Sequence, residues 1–270
     1  MSYVWEIRAR VQFEGDSHVM EDSCGFFGRH AWVIDGATPL LEQIGLPASS
    51  DPQWLAQTLS LAFATAALHA ADSRSLLASA LEAIDAAAIP LVGHEITRFP
   101  SAAVSVLTLT DDGVEVAGLA DCTVVVGTLE GGVHMVRAEA ADARVDLEAA
   151  RRTVDAPERH RLLRRDRELR NTPGNLWVAR REARAADHAH VERFGMPEIV
   201  VLASDGAWRA VDLGLVSGPE EFLQRTSSTL GALNLMHELR RKQADIGEVS
   251  DDATVLTLAP IPVQALIPSP

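Results

Sequence analysis

The sequence predicts one α+β domain, with strands in two or more antiparallel sheets and helices covering their faces. Three observations point there. Short apolar runs bounded by Gly and Asp turn signals fill residues 3 to 36, residues 101 to 138 and the stretch around residue 200. Between the first two blocks, residues 51 to 88 are rich in Ala and Leu at helical spacing. Neither an internal repeat nor a shift in composition divides the chain, so residues 1–260 read as a single domain and 261–270 as a Pro-rich irregular tail.

Taken in order, YVWEIRARVQF (3–13) reads as a strand closed by a polar turn at Gly15 and Asp16. CGFFG and AWVID are two short strands turning about Gly28 and Arg29. In the helical stretch, Asp51 is the expected N-cap with Pro52 opening the helix, and Asp72-Ser73 separates two helices. SAAVSVLTL, GVEVAGLA, TVVVGTL and GVHMVRA follow, divided by DDG, DC and EGG, at spacings that suit an antiparallel meander. Residues 142–170 read as a charged helix, and NTPGNLW as a turn. PEIVVLAS is a buried strand, SGPEEFLQRT and Leu230–Ala244 are helical, and ATVLTLA is the last strand.

The 270 residues, 47% hydrophobic, suffice for a sizeable core. A formal net charge of −14 argues against general nucleic-acid binding. No run of about 20 uninterrupted apolar residues is present to span a bilayer, and no signal peptide is evident. Cys24 and Cys122 are too few for a disulfide framework, and a reducing, cytoplasmic setting is expected. The charge is uneven: residues 137–193 carry 14 of the 24 basic residues against 11 acidic ones. A run such as ERHRLLRRDRELR reads first as a solvated helix laced with i,i+4 ion pairs.

Acidic residues recur at strand ends. If the first hairpin turns about Gly28 and Arg29, Asp22 lies as far before the turn as Asp35 lies after it. Neighbouring strands about 5 Å apart would then bring two carboxylates together at the open end, where they repel. Asp205-Gly206 ends the apolar run IVVLAS, and Asp251-Asp252 precedes ATVLTLA. As antiparallel neighbours, these runs place Asp205 and Asp251 at one edge as well. Carboxylates, a backbone carbonyl and water are the donors that Mg²⁺ or Mn²⁺ prefers, whereas zinc usually wants Cys or His.

The order and wording of these segments resemble the metal-dependent protein serine/threonine phosphatases of type 2C, the PPM family, over about residues 3 to 259. The E-D pair is Glu21-Asp22, the D-G motif is VIDGAT, the S-D-G motif is ASDGAW, and the terminal D-N-x-T motif is similar to Asp251-Asp252-Ala253-Thr254. The G-D-S-R motif stands altered as LADCTVVV, with Asp121 kept. The resemblance, to a divergent bacterial-like member, implies a four-layer αββα sandwich and two Mn²⁺ or Mg²⁺ ions at one edge. It implies Asp35 as bridging ligand, the Gly36 carbonyl on one ion, Asp205 and Asp251 on the other, and Asp22 and Glu21 beside them. Asp121 resembles the acid that holds a third, weaker ion in some members. A metal-activated water would then cleave phosphoserine or phosphothreonine in a protein substrate.

The match departs in the residues that handle substrate. Ser17 stands where the family often has a phosphate-gripping arginine, with His18 or an arginine of the basic segment as substitutes. Ala37-Thr38-Pro39 replaces the histidine-bearing sequence after D-G, Asp252 replaces asparagine, and Thr123 replaces the G-D-S-R arginine. These changes leave a non-catalytic binding or regulatory module as the alternative, and a small-molecule phosphatase as a third reading. His188 and His190 have the spacing of one strand face but no third ligand, and read as a solvent-exposed loop. His69 and His94 read as partly buried helix-face residues. RNTPGNLWVAR reads either as a flap that lends Arg170 or Arg180 to a phosphate or as a turn that buries Trp177. Cys122 lacks the C-x5-R loop of cysteine phosphatases, and Ser101, Ser105 and Ser204 lack His-Asp partners.

Overall fold

The computed structural model describes residues 2–16, 19–37, 41–138 and 156–263. Three apolar layers account for its architecture. β4 (Ala102–Leu109), β5 (Gly113–Leu119) and β6 (Thr123–Thr128) are buried along almost their whole length. Successive side chains of a strand point to opposite faces, so a strand without a polar face must be covered on both. Val124 and Val126 enter one cluster and Val125 another, and the same split separates Val200 and Leu202 from Val201 in β9 (Pro197–Ala203).

Two five-stranded sheets, antiparallel in every pairing, produce this sandwich. The first has the order β1 (Tyr3–Phe13), β10 (Ala253–Pro262), β9, β6, β7 (Val133–Arg137). The second runs β2 (Ser23–Phe27), β3 (His30–Gly36), β4, β5, β8 (His190–Gly195). Val33, Leu107, Val116, Val124, Leu202 and Leu256 pack between the sheets. Helices α1 (Asp51–Ala66) and α2 (Ser73–Val92) cover the second sheet through Trp32, Ile34, Val104 and Val106. On the other side, α4 (Asp205–Asp212), α5 (Pro219–Thr226) and α6 (Thr229–Ile246) cover the first sheet through Val11, Val125, Val201 and Val255. The layers are αββα.

Several local expectations change. β5 and β6 do not pair. The chain crosses between sheets at Ala120-Asp121-Cys122, with Ala120 at φ 60°, so the predicted meander is broken there. With both faces buried, alternation carries no record of which sheet a strand joins. The N-cap of α1 is Ser50, whose side chain accepts from the Gln53 backbone N–H. Asp51 turns away to accept from the backbone N–H groups of Ile44 and Leu46. β8 and a 3-10 turn at Ala183–His188 emerge from a stretch whose polarity hid them. β10 runs on through Pro262 as the partner of β1, so the tail begins in strand rather than irregular chain. Helix α3 (Ala156–Leu169) is the described part of the charged helix expected over 142–170, and 142–155 lie outside the described residues.

Helix α2 alone among the described helices is long and apolar enough to cross a membrane by length and composition. Leu76, Leu77, Ala80, Leu81, Ile84 and Ala88 nevertheless form one stripe that packs into the core beneath α1.

Candidate metal centre

One end of the sandwich collects the strand-end carboxylates. In β3, Ile34 pairs with Ser23, so Asp35 stands opposite Asp22 just past the ladder. In β10, Val255 pairs with Ala203 of β9, which carries Asp205 to the level of Ala253, two residues after Asp251. Asp121 sits at the crossover between β5 and β6. The structure therefore brings Glu21, Asp22, Asp35, Gly36, Asp121, Asp205 and Asp251 to one edge, from both sheets.

The two D-G glycines are required by close backbone approach rather than by turn geometry. A Cβ on Gly36 would lie 2.5 Å from the Glu21 carbonyl oxygen, and one on Gly206 would lie 1.9 Å from the Asp252 carbonyl oxygen. Each glycine thus lets one acidic pair press against the next D-G segment. The Asp205 backbone N–H donates to Asp35 Oδ2 at 3.1 Å, so a carboxylate from the second sheet caps a helix that leaves the first. The Ser204 hydroxyl, which as N-cap would take that role, accepts from the Thr254 N–H instead.

Burial and mutual repulsion raise the pKa values of three of these carboxyls. Asp22 is pushed up to about 8, chiefly by burial, with Asp252 and Asp205 adding repulsion and the Thr254 and Ser204 hydroxyls opposing it. Asp35 lies well above the usual carboxylate range because of burial and the charges of Asp205, Asp22 and Asp121. Asp205 rises to about 6 through burial and the charges of Asp121 and Asp251, with Arg137 and the bond to Asp35 drawing it down. Among the described residues, nothing hydrogen-bonds the buried Asp22 Oδ2. An orphaned carboxylate oxygen beside ionisable neighbours suits a hard divalent cation, and the donors are all oxygen. The residues fit such an ion by the chemistry of their donors. Among the described residues, however, no three His, Cys, Asp or Glu side chains form a ready-made cage.

The remaining residues have separate tasks. Glu21 is buried and accepts from the Ser50 hydroxyl at 2.5 Å, which ties the E-D pair to the start of α1. Gln53 Nε2 donates to the Met20 carbonyl and reinforces that tie. Asp252, read from sequence as extra charge at the metals, is a backbone clamp: its carboxylate accepts from Gly15 N–H at 2.7 Å and Glu21 N–H at 2.5 Å. Asp251 is exposed, its Oδ1 accepts from the Asp252 N–H, and its carbonyl accepts from Arg240. Sequence reading missed Arg137, whose Nη2 stands 3.7 Å from Asp121 Oδ2. No local signal marks it: Arg137 pairs in register with Thr123, the position where the arginine of G-D-S-R is lacking, and only the folded sheet sets that register.

Apart from Arg170 and Arg180, which line a pocket that also takes in Ala37, the other candidates separate from the site. Arg180 is held by Glu182 and Arg170 by Asp166 and the Ser101 hydroxyl. Trp177 stacks on His188 at 3.5 Å between ring centroids and packs against the helix-covered core. His188 ends the 3-10 turn, and exposed His190 binds Glu192, so the two do not share a strand face. His69 and His94 are exposed in turns beyond the ends of α1 and α2, not on helix faces. The Cys122 thiol is buried and its pKa pushed well up, which suits packing rather than nucleophilic attack. Ser17, His18, Thr38 and Pro39 lie outside the described residues.

No family model matches the sequence, and no curated protein matches it. Solved structures do match. The serine/threonine phosphatase PstP/Ppp of Mycobacterium tuberculosis superposes with a TM-score of 0.61 over 96% of this chain and 99% of its own, at 14% identity. This is the fold of the PPM serine/threonine phosphatases. The PstP catalytic domain in complex with two manganese ions matches over 97% of this chain and 100% of its own, with a TM-score of 0.56 and 13% identity. The PPM Ser-Thr phosphatase MsPP of Mycobacterium smegmatis, in complex with cacodylate, matches over 93% of this chain and 97% of its own, with a TM-score of 0.53 and 16% identity. The PPM fold, two sheets with helices on both outer faces, therefore extends over nearly all of this chain.

Proposed function

We propose that this chain is a Mn²⁺- or Mg²⁺-dependent phosphomonoester hydrolase acting on phosphoserine and phosphothreonine in proteins. One observation carries the reading: Asp22, Asp35, Asp205 and Asp251 arrive from two sheets at one edge of a PPM fold. Asp35, the Gly36 carbonyl, Asp205 and Asp251 are the residues that would hold two ions, with Asp22 and Glu21 beside them. Bound ions of this kind supply Lewis acidity and an activated water near neutral pH. The chain's own contribution is placement. Asp252 holds the Glu21 backbone, Ser50 holds the Glu21 carboxylate, and Gly36 and Gly206 let the loops close on one another. The relative with bound manganese and the one with an arsenic oxyanion accord with a metal-assisted reaction on a phosphate-like group.

A pocket lined by Ala37, Leu41, Arg98, Phe99, Ser101 and Arg170, among others, adjoins the Gly36-Ala37 end of β3. Its mixed apolar and arginine lining suits the chain that flanks a phosphorylated residue. The test is hydrolysis of p-nitrophenyl phosphate and of a phosphothreonine peptide with added Mn²⁺. Turnover abolished by a chelator and by Asp205→Asn supports the proposal. Turnover that ignores both sinks it.

A second reading, a regulatory module that does not turn over, is favoured by the lack of a ready-made cage among the described carboxylates. Calorimetric titration separates the two. Tight binding of two Mn²⁺ with no hydrolysis of either substrate favours the module.

A further inference from the structure

The Asp121 corner of the metal edge already contains a cation. Val255, Ala203, Thr123 and Arg137 lie on one rung across β10, β9, β6 and β7. Arg137 thus ends β7 at the level where β9 delivers Asp205 and where Asp121 enters β6. Its guanidinium comes within 3.7 Å of the Asp121 carboxylate, with the two side chains 32% and 35% exposed. Asp205 also feels its charge. Among the described residues, the Arg137 side chain makes this ion pair and no hydrogen bond.

At that exposure and distance the pair adds little to stability. Its effect is on the local charge. One guanidinium balances Asp121, and a divalent ion brought to the same carboxylate would have to displace or repel it.

We propose that Arg137 is the resident cation of the Asp121 corner, so that this edge loads two divalent ions and excludes a third. The proposal rests on the two-metal reading above. It gives Arg137 a positioning role and makes Asp121 its partner rather than a metal ligand. The positive charge that G-D-S-R would carry at Thr123 is supplied here from the adjacent strand, at the position paired with Thr123.

The experiment is a calorimetric Mn²⁺ titration of the full chain, with folding of each variant checked by circular dichroism. Wild type and Arg137→Lys are expected to bind two ions. Arg137→Met is expected to bind a third, more weakly, and Arg137→Met/Asp121→Asn to return to two. Three ions in wild type, or two in Arg137→Met, would overturn the proposal and leave the two-metal reading standing. No Mn²⁺ binding by folded wild type would overturn both. The count of ions needs no turnover, so it stays decisive if the chain is a non-catalytic module.

Discussion

Asp35 and Asp205 lie 170 residues apart and belong to different sheets, yet the Asp205 N–H donates to the Asp35 carboxylate at 3.1 Å. That bond joins the sheets at the carboxylate edge and starts α4 from the partner sheet. It also holds two mutually repelling carboxylates in contact, an arrangement that costs stability unless a cation or proton intervenes.

Asp35→Asn is therefore expected to separate function from stability. The amide oxygen still accepts from Asp205, while one buried negative charge disappears. In chelator, thermal unfolding should shift upward by the equivalent of about 1–2 kcal/mol. With Mn²⁺, phosphatase activity should fall more than about 100-fold, or about 2.7 kcal/mol of transition-state stabilisation. A fall in metal-free stability would contradict the repulsion argument.

The metal-free protein should lose stability as pH rises from 6.5 to 8. Asp205 and Asp22 are raised to about 6 and about 8 when folded, against 3.8 as their ordinary value. In this window Asp22 still holds a proton that the unfolded state has released, so raising the pH removes a stabilising term, whereas Asp205 has given up most of its proton by pH 6.5 and acts below it. Each group contributes at most about 1.4 kcal/mol per pH unit. His30 works in the opposite direction but lower: burial depresses it to about 4, so its penalty appears only as pH falls below about 6.5. Unfolding curves in chelator across pH 6.5 to 8 check the slope, and saturating Mn²⁺ should flatten it.

Gly206→Ala should damage the site more than its one added carbon suggests. The new Cβ would meet the Asp252 carbonyl at 1.9 Å, so α4 or the 250–252 segment must shift. Overpacking of this kind costs about 1–3 kcal/mol. Because Asp205 begins the displaced helix, Mn²⁺ affinity should drop at least about tenfold in calorimetry while circular dichroism remains that of a folded chain.

Asp252→Ala should unfold more easily by about 3 kcal/mol, since two backbone N–H groups lose a charged acceptor. Asp252→Asn keeps one good acceptor and should lose roughly half as much. Denaturant midpoints distinguish these. A larger change in Mn²⁺ stoichiometry than in stability would instead make Asp252 a ligand.

Much of the candidate site was readable because its residues stand at strand ends beside turn signals, where local chemistry and position coincide. Asp22, Asp35, Asp205 and Asp251 needed only the hairpin about Gly28 and the antiparallel neighbours β9 and β10 to converge. Arg137 was not readable, since its relation to Asp121 depends on the β6–β7 register and on the reach of its side chain to that carboxylate. The role of Asp252 was hidden for a similar reason. Its partners are backbone groups more than 200 residues away.

The sequence by itself determined the class, α+β, the main strands and helices, and the acidic residues that end the strands. Apolar periodicity and turn chemistry act over a few residues and leave a local record. Tertiary structure decided that β5 passes to the other sheet at Asp121, that Ser50 rather than Asp51 caps α1, and that Arg137 faces Asp121. Strands buried on both faces look alike whichever sheet they join, so only packing between the sheets selects the crossover and, with it, the charges that meet at the edge.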